Sequence, residues 1–311
     1  MGNTEYREID IMGIINVTDN SFYGNSRYLG KDGRPDTGRI LDKVMEMTAD
    51  GAAIIDIGAC STHPGADVPD EREEWRRLEP ALEAVCGKFP DIRLSIDTFR
   101  SGIIRKAAAI VSPGKLMVND ISAGEDDPEM LHAAAEYGLP FIAMHKRGTP
   151  ATMQGMCDYD DVTEEVLDYF RAFAQRAEAA GVAEWILDPG FGFAKTAEQN
   201  YRLLNELGRF TEACLSGCGE DSPRVLVGIS RKSMIYRPLG ITPEDSLTQT
   251  QVLHLAALER GASILRVHDV AETARTVRIY RMLHGRGFNG LSHGIGGNKD
   301  VIPGTGRTLR Q

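Results

Sequence analysis

The run Trp185-Ile186-Leu187-Asp188-Pro189-Gly190-Phe191-Gly192-Phe193 is a short apolar stretch that stops on a carboxylate, followed by a proline, two glycines and two phenylalanines. A strand buried on both faces reads as a continuous apolar run, and Pro189 cannot extend it, so Asp188 falls at its carboxyl end. Gly190 and Gly192 then allow the backbone to approach a ligand closely. Seen alone, the segment is equally an ordinary strand-to-loop turn whose Asp caps the following helix. What separates the two readings is whether the pattern recurs.

It recurs seven times. Ile9 to Asn16, Ala52 to Gly58 with Asp56 inside it, Arg93 to Asp97, and Lys115 to Asp120 with Asn119 are apolar runs with polar ends. Pro140 to Met144 runs into His145, Val225 to Ile229 into Ser230-Arg231-Lys232, and Ser263 to Val267, carrying Arg266, into His268-Asp269. Helical patterns fall between them, the clearest being Val162 to Ala180 with apolar Val166, Leu167, Phe170 and Phe173. Eight strands thus alternate with eight helical segments. Asn16 and Arg266 lie 250 residues apart, seven steps of roughly 36, the size of a βα unit with its crossover.

Such alternation calls for a parallel sheet covered by helices, and eight units fit an α/β fold of the closed (β/α)8 TIM barrel type. In that fold all eight carboxyl strand ends converge on one mouth, where Asn16, Asp56, Asp97, Asn119, His145, Asp188, Lys232, Arg266 and His268 would meet. An open doubly wound sheet gives the same alternation but no reason for a polar residue at every strand end. No G-x-G-x-x-G follows the first strand, so dinucleotide binding has no support. We expect one barrel over residues 1–283 and a glycine-rich polar tail, 284–311, that is poorly ordered.

Composition narrows the functional classes. The 311 residues are 42% hydrophobic and 26% charged with a formal net charge of −10, which opposes general binding to nucleic acid or anionic membranes. No stretch reaches a spanning helix, and the N-terminus lacks a basic segment followed by an apolar core, so a cytoplasmic setting is expected. Five cysteines in no framework spacing suggest reduced thiols. Cys214 and Cys218 lack the further His or Cys needed to complete a tetrahedral metal site.

Buried carboxylates need partners, and no basic residue is read on a strand beside Asp97 or Asp188, so a ligand is the natural candidate. A carboxylate accepts two parallel bonds from an amino group and the adjacent ring N–H of a heterocycle shaped like a cyclic guanidine, with Asn119 on a neighbouring edge. Lys232 can donate to a ring carbonyl or nitrogen, Arg266 can stack on the ring face, and Phe193, Met144 and Ile121 can wall it. Asp56 and Asp120, beside turns, are read as capping or salt-bridged structural groups. Ser61, Thr62, His63 and His268 make a second, anion-binding set, and Asn16 offers an oxygen to a hard cation such as Mg²⁺.

These runs, together with Met12-Gly13-Ile14-Ile15-Asn16, Ser61-Thr62-His63-Pro64-Gly65, Ser95-Ile96-Asp97-Thr98 and Ser230-Arg231-Lys232-Ser233, resemble the dihydropteroate synthase family, in order from about residue 9 to 283. The resemblance implies a transferase of folate biosynthesis that joins (7,8-dihydropterin-6-yl)methyl diphosphate to 4-aminobenzoate and is a target of sulfonamides. It further implies Asp97, Asn119, Asp188 and Lys232 at the pterin edge, with Arg266 over the ring. Asn16 would contact Mg²⁺; Thr62, His63, Arg266 and His268 would meet the diphosphate; Phe22, Ser61, Thr62, Pro64 and Lys232 would form the aminobenzoate pocket. Asp97, Lys232, Arg266 and His268 are the expected catalytic set, and a homodimer through outer helices is the family's expected state.

Two loops depart from the family pattern. Thr18-Asp19-Asn20-Ser21-Phe22 lacks the usual proline, and His63 stands where the family carries Arg. A titratable imidazole is a poorer anion partner than a guanidinium, so diphosphate binding above neutral pH should be weaker than Arg would give. His63→Arg should tighten it at pH 8, and equal affinities there would refute the expectation. Two other readings share the barrel and pterin-edge residues: a methyltransferase domain that passes a methyl group to a corrinoid protein, and a non-catalytic pterin-binding barrel.

Overall fold

Met12, Ile14 and Asn16 alternate along the first strand with Ile11, Gly13 and Ile15, and this period of two sets which side chains each strand turns inward. A computed structural model of the chain describes residues 8–18, 28–30, 33–60, 68–149, 152–213 and 223–286. The strands are β1 (Asp10–Asn16), β2 (Ile54–Gly58), β3 (Arg93–Asp97), β4 (Leu116–Asp120), β5 (Phe141–Met144), β6 (Trp185–Asp188), β7 (Arg224–Val227) and β8 (Ile264–Val267). Each pairs in parallel with the next, and β8 pairs back to β1, closing the barrel expected from the sequence. Carried round all eight strands from residue 12, the register returns to β1 at position 4, a displacement of eight residues. That is the shear of a (β/α)8 barrel.

The interior is layered. Met12, Ile54, Met117, Ile142, Ile186, Leu226 and Ile264 form an apolar belt of their own inside the barrel, distinct from the larger core between strands and helices. Each such side chain contributes about 1.5–3 kcal/mol by leaving water. One step below the belt, Asp10 is buried between two guanidinium groups, Arg93 at 2.7 Å and Arg224 at 2.8 Å. Two cations on one buried carboxylate satisfy both its oxygens and seal the floor. One step above, the same inward positions carry Asp56, Asp97, Asn119, Asp188 and Arg266.

The covering helices are α1 (Thr37–Ala49), α2 (Glu71–Lys88), α3 (Ser101–Ala108), α4 (Met130–Glu136), α5 (Val162–Ala180), α6 (Ala197–Asn205), α7 (Gly208–Thr211), α8 (Ser233–Leu239), α9 (Leu247–Glu259) and α10 (Val270–Leu283). Their starts follow from capping: Asp36, Asp70 and Asp161 accept from backbone N–H groups of α1, α2 and α5, and Thr196 with Gln199 closes a capping box on α6. The α5 stripe Val166, Leu167, Phe170 and Phe173 is buried, with Phe173 stacked on Phe141 of β5 at 5.7 Å.

The expectation of eight helical segments is corrected to ten α-helices among the described residues. Gly208 begins a separate short helix after α6, and Gly240, at φ +63°, stops α8 well before α9. The 214–218 cysteine pair and residues 287–311 of the expected tail lie outside the described residues.

Candidate active site

Arg266 lies one pleat above the belt on β8 and reaches across the barrel mouth. Its Nε donates to Asp56 Oδ2 at 2.7 Å and its Nη2 to Asp97 Oδ2 at 2.7 Å. Burial works against the guanidinium's charge, and the two carboxylates more than reverse this, raising its pKa. No basic residue comes to Asp97 from a neighbouring strand, but the expectation that a ligand must be its partner is corrected: Arg266 reaches it from β8, across the closed barrel.

Asp56 is fully buried and holds the top layer together. Besides Arg266 it accepts from Asn119 Nδ2, 3.2 Å from each oxygen. A carboxylate paired to Arg266 presents only acceptors, so Asn119 must offer it the amino side of its amide. Asn119 thereby keeps its carbonyl oxygen for another group. The structural role read for Asp56 takes this form. Asp120 accepts from Ser122 N and Oγ and from Gly124 N, each at 2.7 Å, and caps its own turn.

Asp97 carries a pKa raised to about 7, chiefly by burial, with Arg266 opposing and the negative charges of Asp56, Glu74 and Asp120 adding. Asp188, at the end of β6, accepts from Gly190 N at 2.8 Å through Oδ1, and its second oxygen takes no hydrogen bond from any described residue. Burial raises its pKa, and Lys232, the Gly190 N–H and Arg266 pull the other way.

Lys232 precedes α8; its Nζ donates to Phe191 O at 2.5 Å and sits 4.7 Å from the centre of the Phe193 ring. Burial lowers this ammonium to about 8, against the attraction of Asp188. Met144, paired in register with Asp188, lies in the same layer, and Ile121, just past the end of β4, is buried. His268 Nδ1 lies 3.2 Å from Ser230 Oγ, and burial with Arg266 nearby lowers its pKa to about 4. Without a ligand it is thus held toward its neutral form, in which it can offer an anion an N–H donor. Asn16 is half-buried at the end of β1.

Phe22, Ser61, Thr62, His63 and Pro64 lie outside the described residues. The reading that Gly190 lets backbone approach a ligand is corrected: at φ +71° a Cβ there would collide with the His145 carbonyl oxygen, so the close approach is to the protein's own β5 end. His145 itself is buried, not exposed on the rim, and its Nδ1 faces Lys195 Nζ at 2.9 Å. Lys195 and Glu74 were not singled out from sequence. Glu74, on α2, accepts from Thr98 Oγ1 at 2.6 Å and pairs with Arg100, whose Nη2 also donates to Pro69 O. A buried Glu on a helix face that otherwise reads as acidic and solvated gives no sequence signal.

Comparison with known proteins agrees with this geometry. A model of the family described as pterin binding enzyme matches residues 12–268. The dihydropteroate synthase of Escherichia coli (strain K12) is 40% identical over 274 residues, covering 86% of this chain and 89% of that protein. That of Bacillus subtilis (strain 168) is 35% identical over 286 residues, covering 91% of each. The crystal structure of the Yersinia pestis dihydropteroate synthase with a sulfonamide drug superposes with a TM-score of 0.79 at 36% identity, covering 90% of this chain and 95% of that one. From β1 to β8 the matched span takes in the whole polar layer above the belt, and the chain belongs to the pterin-binding enzyme family.

Proposed function

We infer that the chain is a dihydropteroate synthase of folate biosynthesis, joining (7,8-dihydropterin-6-yl)methyl diphosphate to 4-aminobenzoate with release of diphosphate. The observation that carries this is Asp188: a buried carboxylate with one oxygen held by Gly190 and the other untaken among the described residues, facing a layer of matched polar and apolar groups. A pterin's amino group and ring N–H supply the missing donors. Asn119 accepts on the adjoining edge, Lys232 donates to the ring carbonyl, and Phe193, Met144 and Ile121 flank the ring. Arg266, held flat by Asp56 and Asp97, covers its face.

Loss of diphosphate leaves a cation delocalised over the pterin, so the site needs to steady two charges and supplies no nucleophile of its own. Asp97 favours the cation. Arg266, the His268 N–H, Thr62 and His63 meet the leaving anion. The aminobenzoate nitrogen, placed by Phe22, Ser61, Thr62, Pro64 and Lys232, then attacks the methylene carbon and releases one proton to the departing diphosphate or to water.

Among the described residues no group of three His, Cys, Asp or Glu could hold a metal, and Asp56 and Asp97 are engaged by Arg266. Asn16 as a lone oxygen donor fits Mg²⁺, which keeps its waters and is held largely through substrate phosphates. When bound, the ion would neutralise charge on the departing diphosphate.

The test is incubation with pterin diphosphate, Mg²⁺ and 4-aminobenzoate: release of diphosphate with formation of dihydropteroate is expected. Pterin uptake with no diphosphate released would favour the non-catalytic barrel instead. The Thermus thermophilus dihydropteroate synthase structure in complex with 4-aminobenzoate, 33% identical with a TM-score of 0.73, supports this choice of substrate.

The proposal keeps a homodimer. Val252 of α9 and Ile279 and Leu283 of α10 are 63%, 53% and 65% exposed on two helices tied together by Gln251 and Thr276. Ile279 and Leu283 lie one turn apart on α10, and exposed apolar groups there suit a second copy. Val252→Glu should turn the dimer into a monomer in light scattering, and a parent already monomeric at micromolar concentration would rule the dimer out. No helix of the described residues is long and apolar enough to cross a membrane. The cytoplasmic setting and the division into a barrel over 1–283 and a tail over 284–311 remain parts of the proposal.

A further inference from the structure

We propose that Lys195 is a positioning residue for pterin recognition: its ammonium ties the loop after β6 to His145 at the end of β5 and so fixes Asp188 and Phe193 against the ring. This rests on the pterin reading above and adds a residue that lies on no strand.

Lys195 is 5% exposed, and its Nζ stands 2.9 Å from His145 Nδ1, 3.1 Å from Gly190 O and 3.1 Å from Phe193 O. An ammonium has three donors and no acceptor, and three acceptors meet it here. While Lys195 is protonated, His145 therefore presents its Nδ1 lone pair and carries its proton on Nε2. Burial, then the charges of Lys195 and Arg147, lower the His145 pKa well below the usual range, in keeping with a neutral ring. Among the described residues no carboxylate pairs with Lys195 within 4 Å. A buried cation serving only backbone carbonyls and an imidazole is costly, and an ordinary structural salt bridge does not account for it.

The loop it holds is strained. Gly190 and Gly192 have φ of +71° and +83°, and Ala194, which has a Cβ, sits at +50°. Two ammonium groups fasten its carbonyls, Lys195 at Gly190 and Phe193 and Lys232 at Phe191. The backbone completes the ring of contacts, since His145 N donates to Asp188 O at 3.0 Å. Charge acts on the same groups: Lys195 favours the ionised form of Asp188 against its burial. Facing Lys195 are Asp188, Lys232, Arg147, Cys157 and His145, and burial pulls its own pKa down to about 7 while Asp188 raises it.

The experiment uses the full chain with Lys195→Met, which keeps length and removes every donor. Pterin affinity should fall about 30-fold, while the KM for 4-aminobenzoate at saturating pterin stays within about three-fold. The carboxyl ¹³C resonance of Asp188 should also titrate at higher pH than in the parent, which loss of loop packing alone would not produce. A folded variant that binds pterin as the parent does overturns the inference and leaves the site reading intact. A parent that takes up no pterin overturns both. If the variant does not fold, the ζ-¹⁵N signal of Lys195 in the parent decides: it should shift on adding pterin, and an unmoved signal removes the proposal.

Discussion

Asp188→Asn is expected to weaken pterin binding by about 100-fold, or about 2.7 kcal/mol, while leaving the barrel folded. The amide keeps the shape and can still accept from Gly190 N, the bond now made at 2.8 Å. What it loses is the second acceptor, and in its place it turns an N–H toward the ligand's own donors. Stability moves the other way. The folded pKa of Asp188 is raised by burial, so the parent's stability from this group is present below pH of about 4 and is lost as pH rises through the folded value. Asparagine carries no such penalty. Its melting temperature at pH 7 should therefore equal or exceed the parent's, the two converging near pH 4. Calorimetric pterin titration and melting curves at both pH values check this; unchanged pterin affinity would return Asp188 to a plain turn cap.

Arg266→Met should cost both stability and turnover. It strands Asp56, fully buried, and Asp97 without their shared cation. Breaking a buried pair from one side costs about 3–5 kcal/mol, and a barrel of this size should melt about 6–15 °C lower. Burial raises the Asp97 pKa and Arg266 opposes it, so without the guanidinium the pKa moves further up. A raised carboxylate destabilises only where it is ionised in the unfolded chain, so the deficit should be small near pH 4 and grow toward neutrality. With the ring cover and the anion partner gone together, kcat/KM should fall about 1,000-fold. Adding Asp56→Asn should recover much of the melting temperature and none of the turnover. Full recovery of activity in that double variant would show that Arg266 acts only as scaffolding.

The strands were legible because a doubly covered strand has few alternatives: an apolar run ending on a polar group, bounded by proline or glycine. Trp185 to Asp188 and Arg93 to Asp97 were read to the residue. The helices between β6 and β8 were read as single segments because Gly208 and Gly240 interrupt them without interrupting the apolar pattern. At the site, polar strand ends could be found along the chain, but their partners could not. Arg266 meets Asp56 across 210 residues and Asp97 across 169, distances that only closure with its shear brings within reach. Lys195 was invisible for a related reason. Two of its three acceptors are backbone carbonyls of the loop after β6, and carbonyls have no letter in a sequence.

The Asp10 triad below the apolar belt has one further effect. With Arg93 and Arg224 locked on Asp10 at one end and seven apolar side chains stacked above them, the barrel is a vessel with a single lip. Whatever reaches the polar layer enters past the strand-end loops, and whatever is made there leaves the same way.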